Sequence, residues 1–368
     1  MVAQGKAQGK ALVFEGIPDQ LKLTEWTLPK LGPGEILVRV LGSTICGSDL
    51  HSIHGRRQVP VPTILGHEIV GDIAAFGPDG PGTDWNGETL TLGDRIVWGV
   101  VAHCGECSPC QADLPQKCSK STKYGHEAAD PGREWSGGFA EWCILVAGTT
   151  IVKIPRDLPI EIACPASCAT ASVCAGFEAA GAVQNKTVVI TGAGLLGVTA
   201  CAMAAHFGAS KIICLDTKKE RRETALEFGA TEAHAPEEFI DRYGSSMITH
   251  VFLELSGAPG AFEAVWPTMA VGGRIVLMGA VFPTASIGLA MEPIIRKMLT
   301  IRGVHNYGPR HLARAVKFLG AVRNQYPFAK IVGEWFTLEE YGEALKAAQS
   351  GNNIRVGFGG VKGMVEKR

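Results

Sequence analysis

Residues 187–206 read TVVITGAGLLGVTACAMAAH, and this stretch decides the architecture of the 368-residue chain. The aliphatic run Thr187–Thr191 enters three glycines in the order G-x-G-x-x-G, and an Ala-rich helical stretch follows. A strand, a glycine-rich turn and a helix in this order are typical of a Rossmann fold, in which the helix N-terminus meets the pyrophosphate of a dinucleotide. The chain has 46 glycines, so the elements around the motif carry the prediction.

The three glycines have different predicted tasks. Gly192 permits the tight turn, Gly194 lets the backbone approach the pyrophosphate, and Gly197 lets helix and strand pack closely. Leu195 and Leu196 lie between them and are included among the cofactor-binding residues. An α/β turn without a ligand is the alternative, and the complete strand–turn–helix context argues against it.

The next apolar run ends at Asp216, 19 residues after Gly197. A carboxylate in this position accepts hydrogen bonds from ribose hydroxyls and repels a 2′-phosphate, which favours NAD over NADP. The basic residues that follow weaken this preference slightly. We assign Arg221 among them to cofactor binding, although a solvated helix face is the simpler explanation of the basic run.

Apolar runs on the C-terminal side of the motif extend the sheet. Such near-continuous runs are typical of a parallel sheet that is buried on both faces. The runs are Lys211–Asp216, His250–Leu255 and Arg274–Met278. An amphipathic helix, a strand and a second helix are predicted from about Pro309 onward.

The first part of the chain, about 150 residues, has a different texture and alternates short β-rich runs with Gly/Pro turns. It predicts an irregular β-barrel domain, and the first ten residues read as a flexible tail. The predicted strands are Glu35–Leu41, Glu68–Phe76, Arg95–Val101 and Ala140–Val146. The fold class is therefore α/β, with a doubly wound parallel sheet beside a β-barrel domain.

Composition limits the possible partners. Hydrophobic residues make up 46%, charged residues 19%, and the net charge is −1, so nothing points to nucleic acid or an anionic membrane surface. No apolar run reaches the roughly 18 residues of a membrane span, and no secretory signal is recognisable. We expect a small-molecule substrate and a cytoplasmic location.

Four of the 11 cysteines fall within fifteen residues in the pattern C-x2-C-x2-C-x7-C: Cys104, Cys107, Cys110 and Cys118. Four thiolates close a tetrahedral shell around one Zn²⁺ and leave no open position, so this site should be structural. Disulfides are disfavoured without a secretory signal, and an iron–sulfur cluster of the ferredoxin type has a different last spacing followed by Cys-Pro.

A second metal site is predicted from Cys46, in Cys-Gly-Ser-Asp-Leu-His, and from His67, in Gly-His-Glu. A third ligand would leave one position open for water or substrate, as in a catalytic zinc site. Cys168 is the candidate, and spacing alone does not separate it from Cys164 and Cys174. The cysteines left over by both sites are expected to be small buried hydrophobic residues. They are Cys143, Cys164, Cys174, Cys201 and Cys214.

The segment from Gly66 to Gly77, GHE-x2-G-x5-G, resembles the signature of the zinc-containing medium-chain alcohol dehydrogenases. The Cys-Gly-Ser-Asp-x-His box, the four-cysteine lobe and GAGLLG occur in that family's order. The resemblance implies a GroES-like catalytic domain at residues 1–160 and 306–368, with the structural zinc lobe at 104–118. It implies a Rossmann NAD-binding domain at residues 161–305, two Zn²⁺ per subunit, and a homodimer or homotetramer.

The resemblance also implies roles for single residues. Cys168 is selected as the third ligand beside Cys46 and His67, because PASCATASV is similar to the family's Pro-x-x-Cys-Ala-x-x-x-Val segment. Glu68 becomes an acidic neighbour of the catalytic zinc, and Asp49 becomes the partner that orients His67. Arg355 resembles the family's late arginine near this glutamate and the cofactor.

Ser48 and His51 are predicted to carry the hydroxyl proton from the substrate to solvent while zinc acts as a Lewis acid. The segment after His51 contains two adjacent arginines, which suit carboxylate, phosphate or phosphonate. We assign Arg57 to the substrate, although it could point into water, and Arg56 is expected to be solvated. The motifs around Cys118, Lys123–His126 and Cys168 are also similar to a branch proposed to act in phosphonate breakdown.

The predicted function is hydride transfer between NAD and a small hydroxylated substrate that carries a phosphonate or carboxylate group. A polyol or sugar dehydrogenase would use the same zinc and NAD with a more polar pocket. A zinc-independent quinone or enone reductase would not need Cys46 and His67. A non-catalytic NAD- and zinc-binding protein would be expected to lack a ligand or a relay residue, and none is missing.

Overall fold

A computed structural model of the chain describes residues 8–359 except residues 245, 247 and 282. The chain divides into two compact units. The first comprises Met1–Cys168, Gly308–Arg323 and Phe328–Arg368, and the second comprises Ala169–Tyr307 and Asn324–Pro327. The boundaries between the two units therefore lie after Cys168 and before Gly308. The domain boundaries expected from the sequence lie at 160/161 and 305/306, and they stay a prediction.

The strands within the described residues follow the predicted runs closely in the core and less closely at their ends. In chain order they are β1 (Gln8–Phe14), β2 (Lys22–Thr27), β3 (Ile36–Thr44), β4 (Thr63–Ile64), β5 (Glu68–Phe76), β6 (Arg95–Ala102), β7 (Thr122–Lys123), β8 (Trp142–Leu145), β9 (Thr149–Lys153), β10 (Thr187–Thr191), β11 (Lys211–Leu215), β12 (Glu232–His234), β13 (Thr249–Glu254), β14 (Met269–Leu277), β15 (Thr300–Gly303), β16 (Val332–Phe336) and β17 (Arg355–Gly359).

The α-helices of the same residues are mostly short in the first unit and longer in the second. They are α1 (Gly47–Ile53), α2 (Ser108–Gln111), α3 (Ile160–Ala163), α4 (Ala169–Ala180), α5 (Leu195–His206), α6 (Lys219–Glu227), α7 (Pro236–Tyr243), α8 (Pro259–Val265), α9 (Met291–Arg296), α10 (Pro309–Val322) and α11 (Tyr341–Ser350). Short 3₁₀ turns include Pro115–Lys117 and Cys164–Ser167.

The first unit is built on two sheets. One has the order β16-β17-β3-β5-β6-β7, with β8 paired to β3 and β9 paired to β6, and the other has the order β2-β1-β4. Antiparallel β3 and β5 shift register twice, which bends the sheet toward a half-barrel. Phe139 and Phe358 pack edge to face in its core with their ring centroids 5.0 Å apart. This arrangement confirms the predicted barrel-like domain.

The second unit is a parallel sheet with the order β12-β11-β10-β13-β14-β15. Every neighbouring pair is parallel, and the order is the 3-2-1-4-5-6 order of a doubly wound Rossmann fold. The strand order reverses between β10 and β13, where ligands bind in such sheets. Helix α5 is apolar on all its faces, which agrees with the burial of most of its residues in the core of this unit.

Two expectations about the ends of the chain differ from the structure. Gln8–Lys10 form the start of β1, so the flexible-tail prediction is wrong for these residues, and its part from residue 1 to residue 7 lies outside the described residues. Strand β17 was not predicted and follows α11. The five cysteines outside the proposed metal sites are all buried, as expected.

In the part of the chain that the structure describes, no single helix is long and apolar enough to cross a membrane. Only the bent pair Ile160–Ser167 and Ala169–Ala180 reaches the required length and composition when its two parts are joined.

Candidate active site

The structure brings Cys46, His67 and Cys168 together in the first unit, with their ligand atoms within 4.8 Å of one another. Cys46 immediately precedes α1, and His67 immediately precedes β5. Cys168 lies at the break between the Cys164–Ser167 turn and α4. Two thiolates and one imidazole at this separation fit a tetrahedral zinc site with one open position. Cys164 and Cys174, the rivals for the third ligand, are buried outside this cluster.

Asp49 fixes two of these ligands at once. Its Oδ2 accepts the backbone N–H of Cys46 at 2.8 Å, and its Oδ1 lies 3.2 Å from Nδ1 of His67. This second contact is an electrostatic pair rather than a well-aligned hydrogen bond, because Nδ1 has no partner of good hydrogen-bond geometry. With Nδ1 turned toward a carboxylate, Nε2 of His67 is the nitrogen that can bind a metal. Asp49 is therefore where the family resemblance places it.

Glu68 and Arg355 form a buried ion pair beside the cluster. Arg355 donates from Nε to Oε2 of Glu68 at 2.9 Å and from Nη2 to Oε1 at 3.1 Å. The Thr44 hydroxyl donates to the same carboxylate, and Nη2 of Arg355 lies 3.4 Å from Sγ of Cys46. The arginine thus contacts both the acidic neighbour and one metal ligand. The pairing of β17 with β3 places it there, 287 residues along the chain from Glu68.

The charged groups of this cluster shift one another's pKa values, partly against the effect of burial. A sulfhydryl contact from Cys168 lowers the pKa of Cys46, burial opposes this, and the charge of Arg355 adds to the lowering. Burial alone would lower the pKa of His67, but the Asp49 carboxylate and the Cys46 thiolate outweigh it and raise the pKa to about 10. Burial raises the pKa of Glu68 in spite of Arg355. A divalent cation would replace the protons held by the ligands.

Ser48 and His51 lie one helical turn apart on α1, so their side chains share one face of the helix. The hydroxyl of Ser48 is 3.4 Å from Nε2 of His67. Burial lowers the pKa of His51, and the nearby Arg56 adds to the lowering. Both predicted relay residues are half-buried, and Ser48 lies beside the candidate metal ligand His67.

The four-cysteine lobe has the geometry of a second metal site. Sγ of Cys107 lies 3.4 Å from Sγ of Cys110 and 3.8 Å from Sγ of Cys118, which is 3.5 Å from Sγ of Cys104. A tetrahedron with Zn–S bonds of about 2.3 Å places its sulfurs about 3.8 Å apart. Backbone N–H groups of Cys104 and Lys120 donate to Sγ of Cys118 at 3.3 Å, as expected for a thiolate ligand. All four donors are cysteines, so the lobe fits a structural zinc.

The glycine-rich turn in the second unit has the predicted shape. Gly192 adopts a left-handed φ of +86°. A Cβ atom on Gly197 would lie 1.8 Å from the carbonyl oxygen of Gly192, whereas a Cβ on Gly194 would meet no atom within 4 Å. Leu195 and Leu196 open α5, whose first N–H groups have no partners within the helix. The turn therefore leaves open backbone for a phosphate at a helix N-terminus.

Asp216 follows β11 and is tied to the same turn. Its Oδ2 accepts the backbone N–H of Ala193 at 2.8 Å, and its Oδ1 accepts that of Lys218 at 2.8 Å. Each oxygen keeps a lone pair for a ribose hydroxyl. Arg221 is 4.0 Å from the carboxylate and 41% exposed, while Arg222 is held by backbone carbonyls. The carboxylate thus dominates this position, and among the described residues Arg221 is the cation that lies 4.0 Å from it.

Two residues that shape these sites, Glu254 and His126, were not predicted. Glu254, buried at the end of β13, accepts the backbone N–H groups of Ser256 and Gly257 and so orders the loop at the point where the strand order reverses. His126 packs its ring against the ring of His67, with centroids 5.1 Å apart. The sequence around Glu254 is an ordinary strand end, whereas His126 stands in the Lys123–His126 motif, to which no role was assigned.

Comparisons with known proteins agree with this geometry. Residues 32–156 match the model for the alcohol dehydrogenase GroES-like domain, and residues 196–321 match the model for zinc-binding dehydrogenases. The chain is 30% identical over 350 residues to 5-exo-hydroxycamphor dehydrogenase of Pseudomonas putida, covering 92% of this chain and 95% of that protein. It is 29% identical over 340 residues to L-threonine 3-dehydrogenase of Shewanella frigidimarina, covering 89% and 93%.

Among solved structures, an alcohol dehydrogenase from Thermotoga maritima superposes with a TM-score of 0.88 at 26% identity, covering 96% of this chain and 99% of that one. Both matched models and these relatives describe one class of protein, a zinc-binding dehydrogenase. The chain belongs to the zinc-containing medium-chain alcohol dehydrogenase family and is an oxidoreductase acting on CH–OH groups. This confirms the predicted family and fold class, with zinc and a nicotinamide dinucleotide as cofactors.

Proposed function

We propose that the chain is a zinc- and NAD-dependent dehydrogenase of a small hydroxylated substrate that carries a carboxylate or phosphonate group. The observation that carries this proposal is the position of Arg57. Its backbone N–H donates to the carbonyl of His51 at 3.0 Å. Arg57 therefore lies just after α1, the helix that carries the predicted relay residues Ser48 and His51. The side chain is half-buried and has no ion pair with any described residue, whereas Arg56 is exposed and contacts His54.

An unpaired, half-buried guanidinium is costly unless a ligand supplies the missing charge. Its fork matches the two oxygens of a carboxylate or phosphonate. One relative, L-threonine 3-dehydrogenase, is named for a hydroxylated substrate that carries a carboxylate, which supports the proposal. The resemblance of three motifs to the branch proposed to act in phosphonate breakdown supports it as well.

The residues of the first unit have distinct tasks in this reaction. A zinc ion held by Cys46, His67 and Cys168 would polarise the hydroxyl oxygen and stabilise negative charge on it. Ser48, next to His67, accepts the hydroxyl proton, and His51 passes it to solvent because burial and Arg56 keep its imidazole neutral. Loss of that proton would let the carbinol carbon transfer its hydrogen as hydride to a bound nicotinamide, which leaves the carbonyl compound, and the reverse sequence would reduce that compound.

The test of the substrate class compares Arg57→Leu with Arg56→Leu. We expect kcat/KM of Arg57→Leu to fall about 10- to 100-fold on a hydroxylated acid, which is the cost of one charged hydrogen-bonded contact, and to change little on a neutral isostere. Arg56→Leu should have the same effect on both substrates, because Arg56 acts on the pKa of the relay residue His51 and not on a substrate anion. Equal losses on acid and isostere for Arg57→Leu would favour a polyol or sugar substrate. If the wild type turns over no alcohol or carbonyl compound, a non-catalytic protein would be favoured.

The proposed preference for NAD is supported by the contacts of Asp216. Its carboxylate is buried and fixed by two backbone N–H groups, so it cannot swing away from a 2′-phosphate. We expect Asp216→Ala to lower the ratio of kcat/KM with NAD to kcat/KM with NADP, and we expect most of this change to occur in KM. A wild-type enzyme that already prefers NADP would contradict this part of the proposal.

We also propose a homodimer or homotetramer in a reducing cytoplasm. Strand β15 has a free edge, and the second unit exposes Met291, Ile295 and Met298, which supports self-association there. No disulfide joins any of the 11 cysteines, which supports a reducing compartment. Light scattering of the wild type and of Ile295→Asp tests the first point, since a monomeric wild type would contradict it.

A further inference from the structure

The Lys123–His126 motif forms a turn that is fixed against the metal ligands of the first unit. The backbone N–H of His126 donates to the carbonyl of Lys123 at 3.0 Å, and the buried Tyr124 anchors the turn through its hydroxyl contacts with Thr149 and Val146. A Cβ on Gly125 would lie 2.5 Å from the carbonyl oxygen of Gly66, so only glycine allows this approach. Lys123 is therefore held close to the segment that carries His67.

The ammonium of Lys123 forms no ion pair within the described residues. Its side chain is half-buried. The carboxylate of Glu127 accepts the backbone N–H of Lys123 at 2.6 Å and does not pair with the ammonium. Burial, together with the positive charges of Arg57 and Lys117, lowers the pKa of Lys123 to about 8 against the opposing negative charges of Cys168 and Glu127.

Arg57 and Lys123 approach the same place from different parts of the chain. Both charges act on His126, whose ring packs against the ring of His67 with centroids 5.1 Å apart. Nδ1 of His126 contacts the carbonyl of Tyr124 at 2.9 Å, which fixes the ring in this place. Two cations without ion pairs thus converge beside this imidazole and the ligand Cys168, whose charge acts on Lys123.

We infer that Lys123 and Arg57 together bind an oxyanion group of the substrate beside the metal ligands, and that Lys123 determines the specificity for this group. The inference deepens the proposed function and rests on it only for the statement that the anion belongs to the substrate. A carboxylate would neutralise one of the two cations, whereas a doubly charged phosphonate or phosphate would neutralise both. The two oxyanions therefore give different outcomes in the same experiment.

The first measurement does not depend on turnover. Sulfate is titrated calorimetrically into the zinc-loaded full-length wild type, Lys123→Met, Lys123→Arg and Lys120→Met. Lys120 follows the four-cysteine lobe and is exposed, and its ammonium pairs with Glu106. It is therefore a matched control for Lys123. We expect Lys123→Met to weaken sulfate binding about 10- to 100-fold, as for the loss of one charged contact, and Lys123→Arg and Lys120→Met to retain it. Unchanged sulfate binding by Lys123→Met would overturn the inference.

The second measurement is kcat/KM of the same variants on a hydroxyalkylphosphonate, a hydroxycarboxylate of equal chain length and a neutral diol. Losses confined to the two anions support the inference, and a larger loss on the phosphonate than on the carboxylate identifies a doubly charged group. Equal losses on all three substrates would overturn it. If the wild type turns over none of them, the proposed function fails, and the sulfate titration still decides whether Lys123 and Arg57 form an anion site.

Discussion

The buried pair Glu68–Arg355 allows a quantitative test of how the first unit is held together. Arg355→Leu removes two hydrogen bonds, of 2.9 and 3.1 Å, from a carboxylate that has no exposed surface. A hydrogen bond to a charged group contributes about 1.5–3 kcal/mol, and removing one partner of a buried ion pair costs about 3–5 kcal/mol. Thr44 still donates to Glu68, so we expect a loss near the lower end, about 3–4 kcal/mol.

The double variant Glu68→Leu/Arg355→Leu isolates the pair. Leucines of similar volume remove the stranded charge, and apolar replacements of buried ion pairs are often neutral. We therefore expect the double variant within about 1 kcal/mol of the wild type, far from the sum of the single losses. Arg95→Leu is the control, because its pair with Asp72 reaches solvent and should cost only about 1 kcal/mol.

Urea unfolding of the zinc-saturated protein, followed by tryptophan fluorescence, measures these differences. Six of the seven tryptophans lie in the first unit, so the signal reports mainly the unit that contains the pair. The reasoning is refuted if Arg355→Leu costs less than about 1 kcal/mol, or if the double variant is as unstable as the two single variants combined.

Three further outcomes follow from the other sites. Cys110→Ser should lower the zinc content measured by elemental analysis from two ions per chain to one, and retention of two would contradict a four-sulfur site. Gly197→Ala should lower the melting temperature because its Cβ would collide with the Gly192 carbonyl, whereas Gly194→Ala should keep the melting temperature and weaken NAD binding in calorimetry; the reverse pattern would contradict the assigned tasks. Sulfate affinity should be constant below about pH 8 and fall above it, up to tenfold per pH unit, since the Lys123 ammonium, which faces the charges of Arg57, Lys117, Cys168 and Glu127, then loses its proton; a flat profile in the wild type, or the same fall in Lys123→Met, would count against the anion site.

The parts of the fold and of the sites that could be predicted from the sequence are those whose residues are close together along the chain. Strands β5 and β10 have the predicted bounds, because each is a β-rich run that lies between turn residues. The four-cysteine lobe was predictable for the same reason, since its ligands are neighbours along the chain. Leu195–Gly197 likewise stand where the glycine spacing places them.

The contacts that were not predictable join distant segments. Cys168 could be chosen over its neighbours only by resemblance, because the break between the Cys164–Ser167 turn and α4 decides which sulfur reaches His67. Lys123 carries no local signal, since its importance comes from a turn packed against Gly66. Strand β17 was missed because its short apolar run is recognisable only beside β3.

Arg355 reaches the metal ligands through β17, which a ribosome makes after the segments that carry Cys46, His67 and Cys168. Until β17 is made, Glu68 has no arginine to accompany it into the interior, so closing the sheet around it would bury an unpaired carboxyl group. Completion of this centre therefore depends on the synthesis of β17, and a chain truncated before Arg355 should have an open, proteolytically sensitive barrel rather than a partly active site.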